Sequence, residues 1–383
     1  MEFLKRTWTE ISWEALEHNY RVLRGLVPTS TRFAGVVKAD AYGHGAVQIS
    51  RRLCELGAEY LAVSNLEEAM QLRDAGIRLP ILILGYTPAR FAELEAEQGI
   101  RQAVPSLEYA RELETALSGT GKRLHVHLKL DTGMSRLGFS AVDRPETAEE
   151  LSEAARLNGL EAEGIFTHFC AADAPDEESQ RFTALQYKRF RSMLDELNRT
   201  GLQFALRHCC NSAATIVHPE YAMDMIRPGV ATYGLPPDPS LEGRIPLRPL
   251  LSWRAAVSQV KTFPKGSGVS YGRTWTAERE SRIAVLPVGY ADGLNRRLSN
   301  RVKFLLNGRS VPQIGTICMD MCMLDVTDLP ECRVGDVVTI LGRDGDNVSR
   351  CEDMAALLGT ISYEVVCSIS KRVPRVYTGR RPV

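Results

Sequence analysis

The chain has no surplus of either charge. Its 383 residues include 47 Lys and Arg against 47 Asp and Glu, so the formal net charge is zero. A protein without a basic excess has no long-range field that would hold a nucleic acid backbone or an anionic membrane surface. We therefore expect a small-molecule site, with neither nucleic acid nor membrane as a partner.

Long apolar segments are also missing. The first twenty residues, MEFLKRTWTEISWEALEHNY, are charged at positions 2, 5, 6 and 10, and they contain no apolar run of the length of a signal-peptide core or a membrane span. The nine cysteines include no CxxC pair, which favours reduced thiols over a structural zinc site. These absences predict a cytoplasmic protein.

One unit recurs between position 32 and about position 227: a short apolar run, a polar turn and a segment with helical spacing. The eight apolar runs are RFAGVVK, YLAVS, PILILG, RQAVP, LHVHLKL, EAEGIFTH, ALRHCCN and MDMIR. This alternation predicts an α/β protein with a (β/α)8 barrel of the TIM type. An open doubly wound sheet has the same alternation, and only the count favours closure.

The pattern changes at the proline-rich stretch YGLPPDPSLEGRIPLRP, residues 233–249. Such a stretch cannot continue a helix or a central strand, so it places a domain boundary near position 240. Strand-like runs such as SRIAVLPVG and VGDVVTILG follow, with CEDMAALLGTI as the one clear helix. We expect a barrel domain at 1–240 and a mainly β domain at 241–383.

Polar residues stand at the ends of several predicted barrel strands, where the active sites of such barrels form. They are Lys38, Lys129, Asp131, His168, Asn211, Ser212 and Arg227. A buried lysine at the end of a strand needs a partner or a chemical use. Lys38 is consistent with a Schiff-base former, with a general base or phosphate ligand, and with a structural ion pair.

Several motifs along almost the whole chain resemble those of the alanine racemases. They are VVKADAYGHGA, HLKLDTGMSRLGF, FTHFCAADAPD, NSAA, RPGVATYG, VSYGRTWTA, PVGYADG, IGTICMDM and SYEVVCSIS. The resemblance implies a barrel followed by a mainly β domain, pyridoxal 5′-phosphate as cofactor, and a homodimer with active sites shared between subunits. The implied reaction interconverts L- and D-alanine by a two-base mechanism, supplying D-alanine for peptidoglycan.

By this resemblance, two residues exchange the α-proton of the substrate. Lys38 would bind the cofactor as a Schiff base and, once the substrate displaces it, act on one face of the α-carbon. Inversion requires a second acid or base on the opposite face. Tyr271, which the family takes from the second subunit, would fill that role, although a strand aromatic that fills a core is the ordinary alternative.

Other residues match the cofactor contacts of the family, which are Tyr42, His168, Asn211, Ser212, Arg227, Gly229, Val230 and Tyr363. Arg227 would face the pyridine nitrogen and, because a guanidinium does not give up its proton, would leave that nitrogen unprotonated. Three ordinary roles stay open: a rim salt bridge for Arg227, a helix N-cap for Ser212 and a turn for Gly229.

The substrate contacts implied by the resemblance are Arg136, for the carboxylate and the phenol of Tyr271, and the backbone N–H of Met319. Lys129 corresponds to a lysine that is often carbamylated in the family and then orients this arginine. Tyr290 and Asp320 match residues around the access channel. Crowding by Tyr290 and Tyr363 favours alanine as substrate, with serine left open.

Two rival functions remain at this point. His125, His127, His168 and His208 could indicate a metal-dependent hydrolase, but period-two spacing places His125 and His127 in different layers of a barrel interior. We therefore predict no metal site. A non-catalytic carrier of pyridoxal phosphate is the second rival, and the motifs SYGR, GYADG and CMD of the β domain argue against it.

Overall fold

The computed structural model describes residues 5–142 and 144–379. The described residues divide into two compact units. The barrel unit comprises residues 17–41 and 46–247, and the sheet unit comprises residues 5–16, 42–45 and 248–379. In the described part of the chain, no helix combines the length and the apolar character that crossing a membrane would require.

Eight parallel strands form the barrel unit in the order β10-β2-β3-β4-β5-β6-β8-β9. Their bounds are Arg32–Val36 (β2), Tyr60–Val63 (β3), Ile81–Ile83 (β4), Ile100–Val104 (β5), Leu124–Asp131 (β6), Leu160–Phe166 (β8), Leu206–His208 (β9) and Met225–Ile226 (β10). The backbone N–H groups of Asp224 and Arg227 donate to the carbonyls of Arg207 and Cys210. These bonds link the segments around β10 and β9, the first and last strands of the order, and so close the barrel. The predicted (β/α)8 barrel is confirmed, and each of its strands corresponds to one predicted apolar run.

Helices alternate with these strands because an apolar face of each helix can cover the sheet. Their bounds are Ala46–Leu56, Leu66–Asp74, Ala92–Glu97, Leu107–Leu117, Thr147–Ala155, Glu177–Arg199 and Ser212–Val217, and strand Phe139–Ser140 (β7) pairs beside β6. Asn65, Ser106 and Asp176 cap three of these helices by accepting a backbone N–H with their side chains, which satisfies donors that a helix start leaves free.

The sheet unit is mainly β, as predicted. Its main sheet has the order β12-β15-β18-β17-β16-β19-β11-β1-β21. The bounds are Thr7–Ser12 (β1), Leu251–Ala256 (β11), Gln259–Phe263 (β12), Ser281–Leu286 (β15), Lys303–Leu306 (β16), Arg309–Ile314 (β17), Cys322–Asp325 (β18), Val337–Asp344 (β19) and Arg375–Thr378 (β21). Shorter strands are Gly268–Val269 (β13), Trp275–Thr276 (β14) and Asn347–Ser349 (β20). The predicted helix is Cys351–Leu358, and a second one, Ser362–Cys367, follows it.

The first strand of the chain belongs to this sheet. β1 pairs antiparallel with β11 and parallel with β21, although the sequence analysis assigned these residues to the domain 1–240. The predicted domain limits stay a prediction. Helix Trp13–Arg24 follows β1, and all nine cysteines are free thiols.

Candidate active site

Lys38 lies two residues after the end of β2 and precedes an unusual left-handed turn. Residues 39–42 have φ between 52° and 54° although none of them is glycine. A side chain in this conformation costs about 1–2 kcal/mol per residue. Contacts within the barrel unit hold the turn, since the N–H of Ala39 donates to Glu68 Oε1 at 2.7 Å and the N–H of Ala46 to Asp40 Oδ1 at 2.9 Å. Such stored strain is typical of functional sites.

Residues 42–45, which begin with the last residue of this turn, belong to the sheet unit and pack against its C-terminal segment. A Cβ atom on Gly43 would lie 2.4 Å from the carbonyl oxygen of Val366, and one on Gly45 would lie 2.0 Å from the hydroxyl of Tyr377. That hydroxyl donates to the carbonyl of His44 at 3.0 Å. Only glycine permits this close approach at both positions, so the motif YGHG is explained by backbone packing.

Four cationic side chains of the barrel unit lie close enough to His168 to act on its charge. Burial lowers the pKa of His168 well below its ordinary value, and the charges of Arg227, Arg136, Lys129 and Lys38 lower it further. The imidazole is therefore neutral at physiological pH. The structure thus brings five of the residues predicted from sequence together at the carboxyl ends of the strands.

Lys129 lies inside this group at the end of β6. Burial lowers its pKa to about 8, and the charges of Arg136 and Arg227 act in the same direction, while Asp131 opposes them. Its ammonium group is 5.8 Å from the centre of the Phe166 ring. Lys129 is therefore still mostly protonated near neutral pH, but its uncharged form is far more populated than that of an ordinary lysine.

Arg227 is buried immediately after β10. Its Nη1 donates to His208 Nδ1 at 2.7 Å, and its Nη2 donates to the carbonyl of Thr167 at 2.9 Å and lies 3.4 Å from His168 Nδ1. Burial lowers its pKa to about 10, so it remains a cation at neutral pH. The rim salt bridge suggested as its ordinary role is absent among the described residues, where Arg227 has no carboxylate partner.

Asn211 and Ser212 form the start of helix Ser212–Val217. Asn211 is the N-cap, because its side chain accepts the N–H of Ala214 at 3.0 Å. The hydroxyl of Ser212 accepts the backbone N–H of Gly229 at 2.8 Å. The cap is thus Asn211, one residue before the position suggested from sequence, and Ser212 instead ties the helix start to the loop that contains Gly229 and Val230.

In the sheet unit, Tyr271, Tyr290, Met319 and Met321 are all exposed, and 73% of Tyr271 is accessible. Backbone contacts join their loops: the N–H of Tyr290 donates to the carbonyl of Cys318, and the hydroxyl of Thr316 donates to the carbonyl of Tyr271 at 2.9 Å. The four residues form the exposed tyrosine and methionine surface. In the same unit, the ring centres of Tyr42 and Tyr363 are 6.1 Å from each other.

Asp320 lies beside this surface and is held by Arg372, whose Nη2 donates to Asp320 Oδ1 at 2.5 Å. Nε of Arg372 also donates to the buried Asp292 at 2.8 Å, and Arg6 donates to Asp292 at 2.6 Å. Burial works to raise the pKa of Asp292, but these hydrogen bonds hold it below its ordinary value. The Asp292 carboxylate therefore holds Arg372 in place, and Arg372 in turn anchors Asp320 and the loop that contains Met319.

Sequence reasoning did not single out Asp292, Arg372 or Phe166. Asp292 stands inside the quoted motif PVGYADG, which was a usable signal. The ring of Phe166 stacks on His208 at 4.8 Å and lies 5.2 Å from the guanidinium carbon of Arg227. Nothing in its local sequence separates it from other strand aromatics.

The histidines considered as metal ligands have other partners. His127 Nδ1 and His208 Nε2 are hydrogen-bonded at 2.8 Å, and His125 Nδ1 lies 3.6 Å from Glu161. Within residues 5–142 and 144–379, no three His, Cys, Asp or Glu side chains are grouped as ligands of one ion. The structure therefore provides no ligand set for the metal-dependent hydrolase.

Comparison with known proteins identifies the class of protein, since two domains of an amino-acid racemase family match most of the chain. The N-terminal domain of alanine racemase matches residues 11–237, and the C-terminal domain of alanine racemase matches residues 250–377. The chain belongs to the alanine racemase family, as its motifs predicted.

Curated relatives and solved structures agree with this assignment. Alanine racemase 2 of Caldanaerobacter subterraneus is 41% identical, with 99% of this chain and 97% of the relative covered, and alanine racemase of Desulfovibrio desulfuricans is 43% identical, with 98% and 99% covered. The crystal structure of alanine racemase from Bacillus anthracis with bound L-Ala-P has a TM-score of 0.92 at 34% identity, covering 99% and 96%. Histidine racemase from Leuconostoc mesenteroides has a TM-score of 0.88 at 28% identity, covering 98% of each chain.

Proposed function

We propose that this protein is a pyridoxal phosphate-dependent alanine racemase that interconverts L- and D-alanine and supplies D-alanine for peptidoglycan. The observation that carries the proposal is the convergence of Lys38, Lys129, Arg136 and Arg227 on one rim of the barrel around a neutral His168. A cluster of cations with one amine at a strand end suits a phosphorylated aldehyde cofactor and a carboxylate substrate. Family membership over both units supports the same reaction.

The residues present fit this cofactor chemically. Lys38 supplies the amine that an aldehyde requires, and the loop at Ser212, Gly229 and Val230, together with Asn211, Tyr42 and Tyr363, supplies hydroxyl, amide and N–H groups for a phosphate. When bound, pyridoxal phosphate delocalises the electron pair that remains on the α-carbon after proton loss. We therefore assign these residues to cofactor binding.

Arg227 would control how strongly the ring of the cofactor withdraws electrons. Because a guanidinium has donors and no acceptor, Arg227 can hydrogen-bond to a pyridine nitrogen without transferring a proton to it. Its position is fixed by His208 and by the carbonyl of Thr167. An unprotonated ring is the weaker electron sink, which favours simple proton exchange over transamination.

The two proton transfers belong to Lys38 and Tyr271 in this proposal. One takes the α-proton from one face of the substrate, and the other returns a proton to the opposite face, so the configuration inverts. Arg136 and the N–H of Met319 would hold the substrate carboxylate. The depressed pKa of Lys129 increases the share of uncharged amine, which is the form that carbamylation requires, and the modified group would then orient Arg136.

We propose a homodimer because of the exposed tyrosine and methionine surface. A phenol that is 73% accessible, as in Tyr271, cannot be kept from bulk water by its own chain. Catalytic acid–base groups work in sites where water is excluded. A second copy of the chain that covers Tyr271, Tyr290, Met319 and Met321 would supply that exclusion, so each site would use both subunits.

The test is chiral chromatography of single amino acids incubated with the cofactor-loaded protein. L-Alanine should reach an equal mixture of enantiomers, and Lys38→Ala should abolish this. Tyr271→Phe should slow conversion in both directions, and L-serine and L-histidine should convert more slowly than alanine, since the histidine racemase neighbour shows that this fold accepts other side chains. Bound cofactor without turnover of any amino acid would contradict the proposal and favour the non-catalytic carrier.

A further inference from the structure

A continuous row of polar side chains crosses the interior of the barrel below Arg227. Arg227 Nη1 lies 2.7 Å from His208 Nδ1, and His208 Nε2 lies 2.8 Å from His127 Nδ1. His127 Nε2 is 3.7 Å from Glu163 Oε2, a distance at which the attraction is electrostatic and no hydrogen bond forms. Both imidazoles are completely buried.

The geometry permits only one arrangement of protons when both rings are neutral. Arg227 has donors alone, so His208 Nδ1 must accept and the proton of His208 must lie on Nε2. That proton is donated to His127 Nδ1, which leaves the proton of His127 on Nε2, facing Glu163. In both rings, Nδ1 accepts a hydrogen bond from the side of Arg227 and the Nε2–H bond points toward Glu163, so the two dipoles are aligned along the row.

Burial keeps the two rings neutral. It lowers the pKa of His127, against the attraction of Glu163, and it lowers the pKa of His208, with the charge of Arg227 acting in the same direction. Burial also works to raise the pKa of Glu163, but the neighbouring His127 and the hydrogen bonds from Tyr60 and Arg101 hold it below its ordinary value. Glu163 is therefore the ionised end of the row.

Local backbone features place His127 in this row. The pairing of β6 with β8 shifts its register between Val126 and His127, and such an irregularity re-aims a side chain. Opposite it, a Cβ on Gly164 would lie 2.6 Å from His127 Nδ1, the atom that accepts from His208. The ring fits only because this residue of β8 has no side chain.

We propose that Glu163, His127 and His208 are positioning residues that hold Arg227 in the orientation required to face the pyridine nitrogen of the cofactor. The inference rests on the proposed function and extends it to residues at the opposite end of the barrel interior. Arg227 has no carboxylate partner among the described residues, and Glu163, which also pairs with Arg101 at 3.0 Å, is the carboxylate at the far end of the row. Arg227 sets the tautomers of both rings, and Glu163 stabilises the proton on Nε2 of His127, so the row is held at both ends.

The first experiment reads the tautomers directly. Cofactor-loaded protein labelled with 15N in its seven histidines is measured by solid-state NMR, and His127→Gln and His208→Gln assign the two rings by loss of signal. We expect neutral rings protonated at Nε2 in both positions at pH 7. A proton on Nδ1 of His208, or a doubly protonated ring at either position, would overturn the proposal.

Variants then test what fixes the positions of the protons on His127 and His208. Glu163→Gln keeps the shape and removes the charge, and it should shift the Nε2 signal of His127 without changing either tautomer, since Arg227 sets both. The matched control is Glu161→Gln, on the same strand and exposed, which faces His125 and should leave both signals unchanged. Gly164→Ala should displace the His127 ring without changing any charge. Unchanged His127 signals in both Glu163→Gln and Gly164→Ala would refute the row as a unit.

Measurements of kcat and KM test whether the row acts on catalysis by positioning Arg227. His208→Leu should lower kcat about tenfold with KM nearly unchanged, whereas His208→Gln, which keeps one acceptor and one donor, should lose about threefold or less. Equal losses in the two variants would contradict a positioning role. If wild-type protein shows the expected tautomers but no racemisation, the proposed function fails while the arrangement of the row stands.

Discussion

A carboxyl group on the outer face of the barrel unit makes the stability of the protein depend on pH. Glu95, in helix Ala92–Glu97, is completely buried, and neither of its oxygens has a hydrogen-bond partner in the described part of the chain. Burial raises its pKa from 4.5 to about 7, with the nearby hydroxyl of Thr87 working against this. We predict that Glu95→Gln stabilises the protein above neutral pH.

The sign and size follow from proton linkage. Below pH 4.5 the carboxyl is protonated in both the folded and the unfolded state, and no difference arises. Between pH 4.5 and 7 the unfolded chain loses the proton while the folded chain keeps it, so the free energy of unfolding falls as pH rises. The loss is complete above pH 7 and amounts to about 3 kcal/mol, at about 1.4 kcal/mol for each pKa unit.

Urea unfolding of wild type and Glu95→Gln at half-unit steps from pH 4.5 to 8.5 measures this. The difference in unfolding free energy should increase by about 3 kcal/mol across the range, whatever constant offset the amide itself contributes. Glu112→Gln, an exposed position on the next helix, serves as control and should give a flat difference. A flat difference for Glu95→Gln as well would refute the reasoning, because the carboxyl would then titrate equally in both states.

Three further predictions concern the turn after Lys38 and its neighbours. Ala39→Gly, at an exposed residue with φ of 52°, should raise the unfolding free energy by about 0.5–1 kcal/mol, since glycine adopts this conformation without a steric cost; a lower urea midpoint would contradict it. Gly43→Ala should lower the free energy of unfolding by about 2 kcal/mol or more, because its Cβ would meet the carbonyl of Val366. An unchanged melting temperature would contradict this. Tyr377→Phe should lower the free energy of unfolding by about 1 kcal/mol, because the carbonyl of His44 loses the hydroxyl that donates to it. The variant should also lose its cofactor faster on dialysis, and wild-type values for both measurements would contradict a role of this hydrogen bond in the site.

The barrel strands were predictable because each is a short apolar run followed by a polar turn, and both signals are local. The positions of Lys38, Lys129, His168 and Arg227 at strand ends followed from the same periodicity. Their roles stay predictions, since chemistry is not contained in the spacing alone. The left-handed turn at 39–42 was not predictable, because no glycine marks it and long-range packing overrides the local preference of alanine, aspartate and tyrosine.

Long-range pairing was the second feature outside the reach of local reasoning. The apolar alternation of β1 indicates a strand, but nothing in six residues identifies a partner such as Trp253, opposite Thr9 in β11. Glu163 and His127 show the same limit. In the sequence pattern Glu163 stands two barrel strands before Arg227 and His127 stands three before it, and only the closure of the barrel and a shift in register bring the row together.

The pairing of β1 has a consequence for synthesis on the ribosome. The N–H of Thr9 donates to the carbonyl of Pro374, which lies 365 residues later. At about 5–20 residues per second, β1 waits about 20–70 s for the neighbouring strand β21 to be made. During that interval an apolar strand edge at the start of the chain is unpaired and vulnerable to aggregation. Completion of the sheet unit is therefore a late event in synthesis, and nascent chains of this protein are expected to need protection by chaperones until β21 has been made.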